Sequence, residues 1–146
     1  MNQVAQLVIL AFLLFGCASS SDAKDCSSKG LFEKSKHISG DRLTPNTVYE
    51  YYTLVNSCDA FDGIIGMAFQ EISNELLADQ WDSLLGHPSI KNIDYQKTLI
   101  RYISDGSEKR QFDKICKNIV TNCQEKTGFC SKIRFRCKEL QDYLNN

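Results

Sequence analysis

Cys116-Lys117-Asn118-Ile119-Val120-Thr121-Asn122-Cys123-Gln124-Glu125-Lys126-Thr127-Gly128-Phe129-Cys130-Ser131-Lys132-Ile133-Arg134-Phe135-Arg136-Cys137 places four cysteines at one fixed interval of seven residues. In one unbroken helix, positions seven apart are separated by about 10.5 Å. A disulfide needs roughly 4.4–6.8 Å between Cα atoms, so a single helix cannot join neighbouring members of the series. Gly128 marks a chain reversal between Cys123 and Cys130, because glycine adopts a left-handed backbone at a helix C-terminus without a Cβ penalty. Folding there makes an antiparallel helical hairpin in which Cys116 meets Cys137 and Cys123 meets Cys130. A β-hairpin is excluded by the period, since residues seven apart on a strand point to opposite faces.

The flanking apolar residues agree with that hairpin. Phe112, Ile115, Cys116, Ile119, Val120 and Cys123 fall on one side of the first helix, and Cys130, Ile133, Cys137, Leu140 and Leu144 on one side of the second. Upstream, Thr44-Pro45 reads as an N-cap followed by proline at the first helical position. The stretch behind it, with Val48, Tyr52 and Val55 at helical spacing, is also rich in strand-favouring types; helix is the expectation. Phe61, Ile65, Phe69, Ile72 and Leu76 repeat at intervals of three and four, beside Glu71, Glu75, Asp79 and Asp82, and predict a central helix ending near Gly86. Gly63 and Gly66 inside it imply either close approach of a neighbour or a later helix start. A further helix is expected from Asn92, burying Ile93, Ile100 and Ile103 and stopping at Gly106, with Ser107 capping the next. The fold class is therefore all-α, a small disulfide-stapled domain of four to six helices ending in the helical hairpin.

Compartment is read from the other end of the chain. Residues 7–15, Leu-Val-Ile-Leu-Ala-Phe-Leu-Leu-Phe, form a nine-residue apolar run followed by Gly16, Ala18, Ser19, Ser20 and Ser21. This is the pattern of a secretory signal peptide and is too short to span a bilayer. We assign residues 1–20 to the signal, with cleavage between 18 and 23, and residues 21–146 to one secreted domain without a transmembrane segment. Cys17, after Leu14-Phe15-Gly16, leaves a lipoprotein-type cleavage site as an alternative; the residues before the apolar run carry no Lys or Arg.

Seven cysteines become six once Cys17 is removed with the signal. An even count in a small exported chain favours structural bridges, and with the hairpin pairs assigned, Cys26 and Cys58 form the third. Zinc is disfavoured, because no Cys-x-x-Cys occurs and a six-residue gap is wide for tetrahedral ligand pairs. No metal or cofactor is expected.

Charge is uneven along the chain. Residues 24–100 carry seven Lys or Arg against eleven Asp or Glu, and residues 101–146 carry ten against six. Lys132, Arg134, Arg136 and Lys138 on the last helix are candidate contacts for an acidic partner. Nucleic acid is not expected, as the patch is short and no nucleic-acid module is visible. Neither His37 nor His87 lies in a catalytic or metal motif. Asp59, Asp62, Glu71 and Glu75 offer paired carboxylates for glycosidase-type chemistry, yet their spacing reads as a solvated helix face. No catalytic residue is assigned and the chain is not expected to be an enzyme.

Asp62-Gly63-Ile64-Ile65-Gly66, after Cys58, and Ile100-Arg101-Tyr102-Ile103 resemble stretches of small exported helical immunity proteins of bacteria that neutralise a rival's secreted amidase. That resemblance covers these fragments alone and implies an exported inhibitor; the four-cysteine segment departs from it. The expectation from the whole sequence is a secreted, extracellular binding protein, an effector, signalling ligand or inhibitor, acting on an extracellular protein or cell-surface receptor. The alternatives are a carrier that encloses a hydrophobic ligand among Phe61, Phe69, Trp81, Tyr49, Tyr51 and Tyr52, and a small exported enzyme.

Overall fold

A cap, a proline and a four-residue apolar stripe decide the first ambiguous segment in favour of helix. The Thr44 hydroxyl accepts from the Thr47 amide at 3.1 Å while the Thr44 amide donates to the Thr47 hydroxyl at 3.0 Å, a reciprocal cap that satisfies two otherwise orphaned donors. Pro45 fills the position whose missing N–H costs nothing. Val48, Tyr51, Tyr52 and Val55 then lie buried at helical spacing.

The computed structural model of the chain describes residues 25–103, 109–123 and 128–144. Among these it has seven α-helices and no strand: α1 (Ser28–Lys36), α2 (Pro45–Ser57), α3 (Gly63–Asp79), α4 (Trp81–Gly86), α5 (Ile93–Arg101), α6 (Lys109–Asn122) and α7 (Phe129–Leu144). Two short 3₁₀ turns, Gly40–Arg42 and Pro88–Lys91, link α1 to α2 and α4 to α5. The expected signal at residues 1–20, Cys17, Gly106, Ser107 and the side chain of Leu144 lie outside the described residues. No described helix is long and apolar enough to cross a membrane.

The fold is an all-α, disulfide-stapled assembly around α3, which packs on α1, α2, α4, α5 and α6, while α7 lies against α5 and α6. Three bridges tie it: Cys26–Cys58 with 5.5 Å between Cα atoms, and Cys116–Cys137 and Cys123–Cys130 with 5.8 Å each. The residues between Cys123 and Gly128 are outside the described set. Gly128 has φ of 75°, but its carbonyl accepts from the Lys132 amide at 3.3 Å. It therefore starts α7 instead of ending α6, which stops at Asn122.

Helix number and bounds differ from expectation in specific places. Seven helices stand where four to six were expected. One addition is α1, capped by the Ser27 hydroxyl, which accepts from the Gly30 amide at 3.1 Å; only Leu31 and Ser35 of this helix are buried. The other arises because α3 does not run to Gly86. It ends at Asp79, and Gln80, with φ −122° and ψ 28°, turns the chain into α4. The turn places Trp81 in the core, stacked on Phe129 at 6.2 Å between ring centres. Helix α6 closes the open end: Asn118 Nδ2 donates to the carbonyls of Leu77 and Ala78 at 3.1 and 3.0 Å, and Lys114 pairs with Asp79. Carbonyls at a helix C-terminus lack intrahelical donors, so these contacts offset the cost of the break.

Two expected core positions are exposed. Ile93 is the first residue after the Asn92 cap, and the buried stripe of α5 runs instead through Tyr95 and Leu99, with Ile103 just beyond and Ile100 half-buried. Val120 sits one residue past the Ile119 face of α6 and is 77% exposed.

The two glycines of α3 do different things. Gly63, at φ 47°, begins the helix. Gly66 permits close approach: a Cβ there would meet the Phe61 carbonyl oxygen and the Tyr102 hydroxyl, each at 3.2 Å. That hydroxyl donates to the Phe61 carbonyl at 3.0 Å. The two fragments singled out by resemblance thus touch through Gly66 and Tyr102.

Burial in this core pushes the phenols of Tyr51, Tyr52 and Tyr95 above their ordinary value of 10.0. A neutral phenol is favoured in the folded state, so this stabilisation is complete below about pH 10 and is lost as the pH rises beyond it. In a joint titration of tyrosinate absorbance and helical ellipticity, the ionisation of these three residues should coincide with loss of helix. Their ionisation in a chain that keeps its full helical signal would contradict the packing.

Candidate functional site

Helix α7 carries charge on two different faces because its inner stripe, Cys130, Ile133, Cys137 and Leu140, is buried. Lys132 and Arg136 are one helical turn apart on the side toward α5, with Phe135 beside them. From α5, Lys97 and Arg101 are likewise one turn apart, with Ile100 between them in sequence. Together these residues, with Ser131 and Glu139, line an open groove of ≈ 740 Å³. Four cations and one carboxylate surround a strip formed by Ile100 and Phe135. Phe135 is 64% exposed and lines the groove beside these cations.

Local pairing leaves the groove positive. Lys97 reaches Asp94 at 3.0 Å, and Arg136 reaches Glu139 at 3.6 Å. Both are exposed pairs of the i, i+3 type, which contribute little and are readily exchanged. No ion pair of Arg101 or Lys132 occurs among the described residues. The Arg101 guanidinium lies 6.0 Å from the centre of the Tyr102 ring.

The other two expected contacts face elsewhere. Arg134 and Lys138 border a smaller groove of ≈ 390 Å³ against α6, and Arg134 donates to the Cys123 carbonyl at 3.2 Å. That bond holds the end of α6 against α7, so the four basic residues of the last helix divide into a pair on the α5 groove and a pair on the α6 side. Lys97 and Arg101 carried no signal in the sequence, since nothing in their spacing announces that α5 lies beside α7.

Candidates for chemistry do not meet. His37 ends α1, and His87 caps the second 3₁₀ turn, its Nδ1 lying 2.8 Å from the Ser89 hydroxyl. Asp59, Asp62 and Glu71 are exposed, and Glu75 half-buried, on and before α3. No group of three His, Cys, Asp or Glu side chains placed to share a metal ion occurs among the described residues. The aromatic side chains proposed for a carrier pocket pack on one another: Tyr52 on Phe61 and Tyr95 at 5.7 and 4.8 Å, Phe61 on Phe69 at 5.2 Å, and Trp81 on Phe129. No family model matches this chain, and no curated protein or solved structure matches it.

Proposed function

We propose that the chain is a secreted binding protein, an effector, signalling ligand or inhibitor, which performs no catalysis and engages an extracellular protein or cell-surface partner through the α5–α7 groove. The observation that carries this reading is the ring of Lys97, Arg101, Lys132 and Arg136 around an exposed Phe135. Interface centres favour aromatic residues and arginine, and a cluster of one sign speeds encounter with a partner of the other. Export is supported by the apolar run at residues 7–15 and by three bridges, which persist in oxidising compartments. The bridges also favour a binding role, because a surface held rigid before contact loses less entropy on association.

Labelled, oxidised protein applied to cells and extracellular fluid of its source should bind saturably and be displaced by unlabelled protein. Reversing two groove charges, Lys132→Glu with Arg136→Glu, should weaken that binding at least tenfold, about 1.4 kcal/mol, while the thermal midpoint falls by only a few degrees, because Lys132 is exposed and the Arg136–Glu139 pair that the change disturbs is a surface one. Absence of any saturable binding would contradict the reading.

A further inference from the structure

We infer that the groove receives an acidic protein segment that inserts one apolar side chain between Ile100 and Phe135. This rests on the binding role proposed above and names the occupant. Three features of the groove select it.

The first is charge. Four cations against Glu139, with Asp94 alongside Lys97, leave a positive excess that sets the sign of the occupant. The second is register. Lys97 and Arg101 on one wall, and Lys132 and Arg136 on the other, are each separated by four helical residues, about 6 Å along the axis. Carboxylates spaced by one helical turn, or by two residues of an extended strand at about 6.6 Å, match the spacing within either row. An acidic segment can therefore be paired at two successive positions with either wall. The third is the apolar strip. Ile100 is half-buried and Phe135 is 64% exposed, so the strip offers contact area that a purely polar occupant leaves in water.

The apolar strip weighs against a sulfated or uronic-acid glycan, whose anionic groups would use the cations and leave Phe135 wet. A bilayer carrying anionic headgroups is the alternative that the vesicle probe below separates. A second copy is the remaining occupant that the chain itself offers, since Ile64 and Met67 are 47% and 64% exposed on α3 and are followed on the same exposed side by Glu71.

The test uses the full oxidised protein and four probes in parallel. The first is a fluorescein-labelled peptide with two glutamates on either side of a leucine-phenylalanine pair, measured by anisotropy against its glutamine analogue. The others are a heparin-derived oligosaccharide, vesicles containing phosphatidylserine, and the protein itself in sedimentation velocity over a concentration series. The acidic peptide should bind, the glutamine analogue should bind at least tenfold more weakly, and added salt should weaken the acidic peptide selectively. Lys132→Glu with Arg136→Glu should remove the binding. Phe135→Ala should reduce it about tenfold while leaving its salt dependence in place.

Peptide binding that is indifferent to Phe135→Ala would overturn the inserted side chain. Oligosaccharide or vesicle binding without peptide binding, lost on charge reversal, would overturn the acidic segment while leaving the groove as a binding surface. Concentration-dependent dimerisation, abolished by the same charge reversal, would assign the groove to a second copy and overturn the inference. Saturable binding to source material that survives charge reversal would move the binding surface off the groove altogether, and the inference with it.

Discussion

Replacing Phe69 with alanine should lower the stability of the folded chain by about 3–5 kcal/mol, the range for removing a fully buried aromatic ring. The ring is wholly buried. It lies 5.2 Å from the Phe61 ring and 5.6 Å from the Tyr102 ring, both edge to face, and 6.2 and 6.3 Å from Tyr52 and Tyr51. Its removal empties the place where α2, the segment before α3 and the end of α5 converge on the central helix. Edge-to-face pairs add to the area term, so the loss should fall in the upper part of that range. Ile64→Ala, five residues earlier on the exposed side of the same helix, should change stability by less than about 0.5 kcal/mol. Urea denaturation of the two variants beside the parent measures both, and a Phe69 variant as stable as the Ile64 variant would show that α3 is not the centre of the core.

The second large effect belongs to the outer of the two nested bridges. Cys116–Cys137 spans 21 residues and Cys123–Cys130 spans 7. Closing the longer loop restricts the unfolded chain more, by about 3.4 kcal/mol against about 2.5 kcal/mol. Paired serine replacement of Cys116 and Cys137 should also loosen the packing of Ile115 and Ile119 against Ile133, all of which are buried. The thermal midpoint should fall by roughly 10–15 °C. The corresponding change at Cys123 and Cys130 should cost less and act mainly near Gly128. Equal losses from the two pairs would contradict the loop-length ordering, and a negligible loss from both would show that α6 and α7 hold each other by packing alone.

Much of the fold was legible because its signals are local. Thr44 and Pro45 mark the start of α2 to the residue, α5 begins beside Asn92, where a helix start is expected, and the stripe from Ile65 to Leu76 reports the burial of α3 through its period. Where the sequence misled, the deciding contact was distant. Gln80 breaks a continuous apolar pattern without glycine or proline, because Asn118 and Lys114 of α6 supply partners to the end of α3 and Trp81 gains Phe129. Helix α1 was silent, since Ser28–Lys36 buries so few side chains that no stripe forms; Ser27 as a cap next to Cys26 was the available clue. Val120 lies a single step, about 100°, around α6 from the buried Ile119, and Ile93 lies two residues before the buried Tyr95, offsets that periodicity alone does not resolve.

The candidate site shows the same division. Lys132 and Arg136 were visible as charges on the last helix, but so were Arg134 and Lys138, and only the position of α5 separates the two pairs. Lys97 and Arg101 join the site through tertiary packing, and Phe135 became informative only when its exposure was known. Sequence supplied one wall of the groove and structure the other.

All of this depends on how α7 is held. The nested bridges orient its inner stripe toward α6, and that orientation turns Lys132, Phe135 and Arg136 toward α5. Proteolysis of the oxidised protein without reduction, followed by mass spectrometry of the linked peptides, tests the arrangement most directly. The account predicts peptides joining Cys26 to Cys58, Cys116 to Cys137 and Cys123 to Cys130. A peptide joining Cys116 to Cys123, or Cys26 to any of the four C-terminal cysteines, would contradict the nested pairing and remove the basis for the groove.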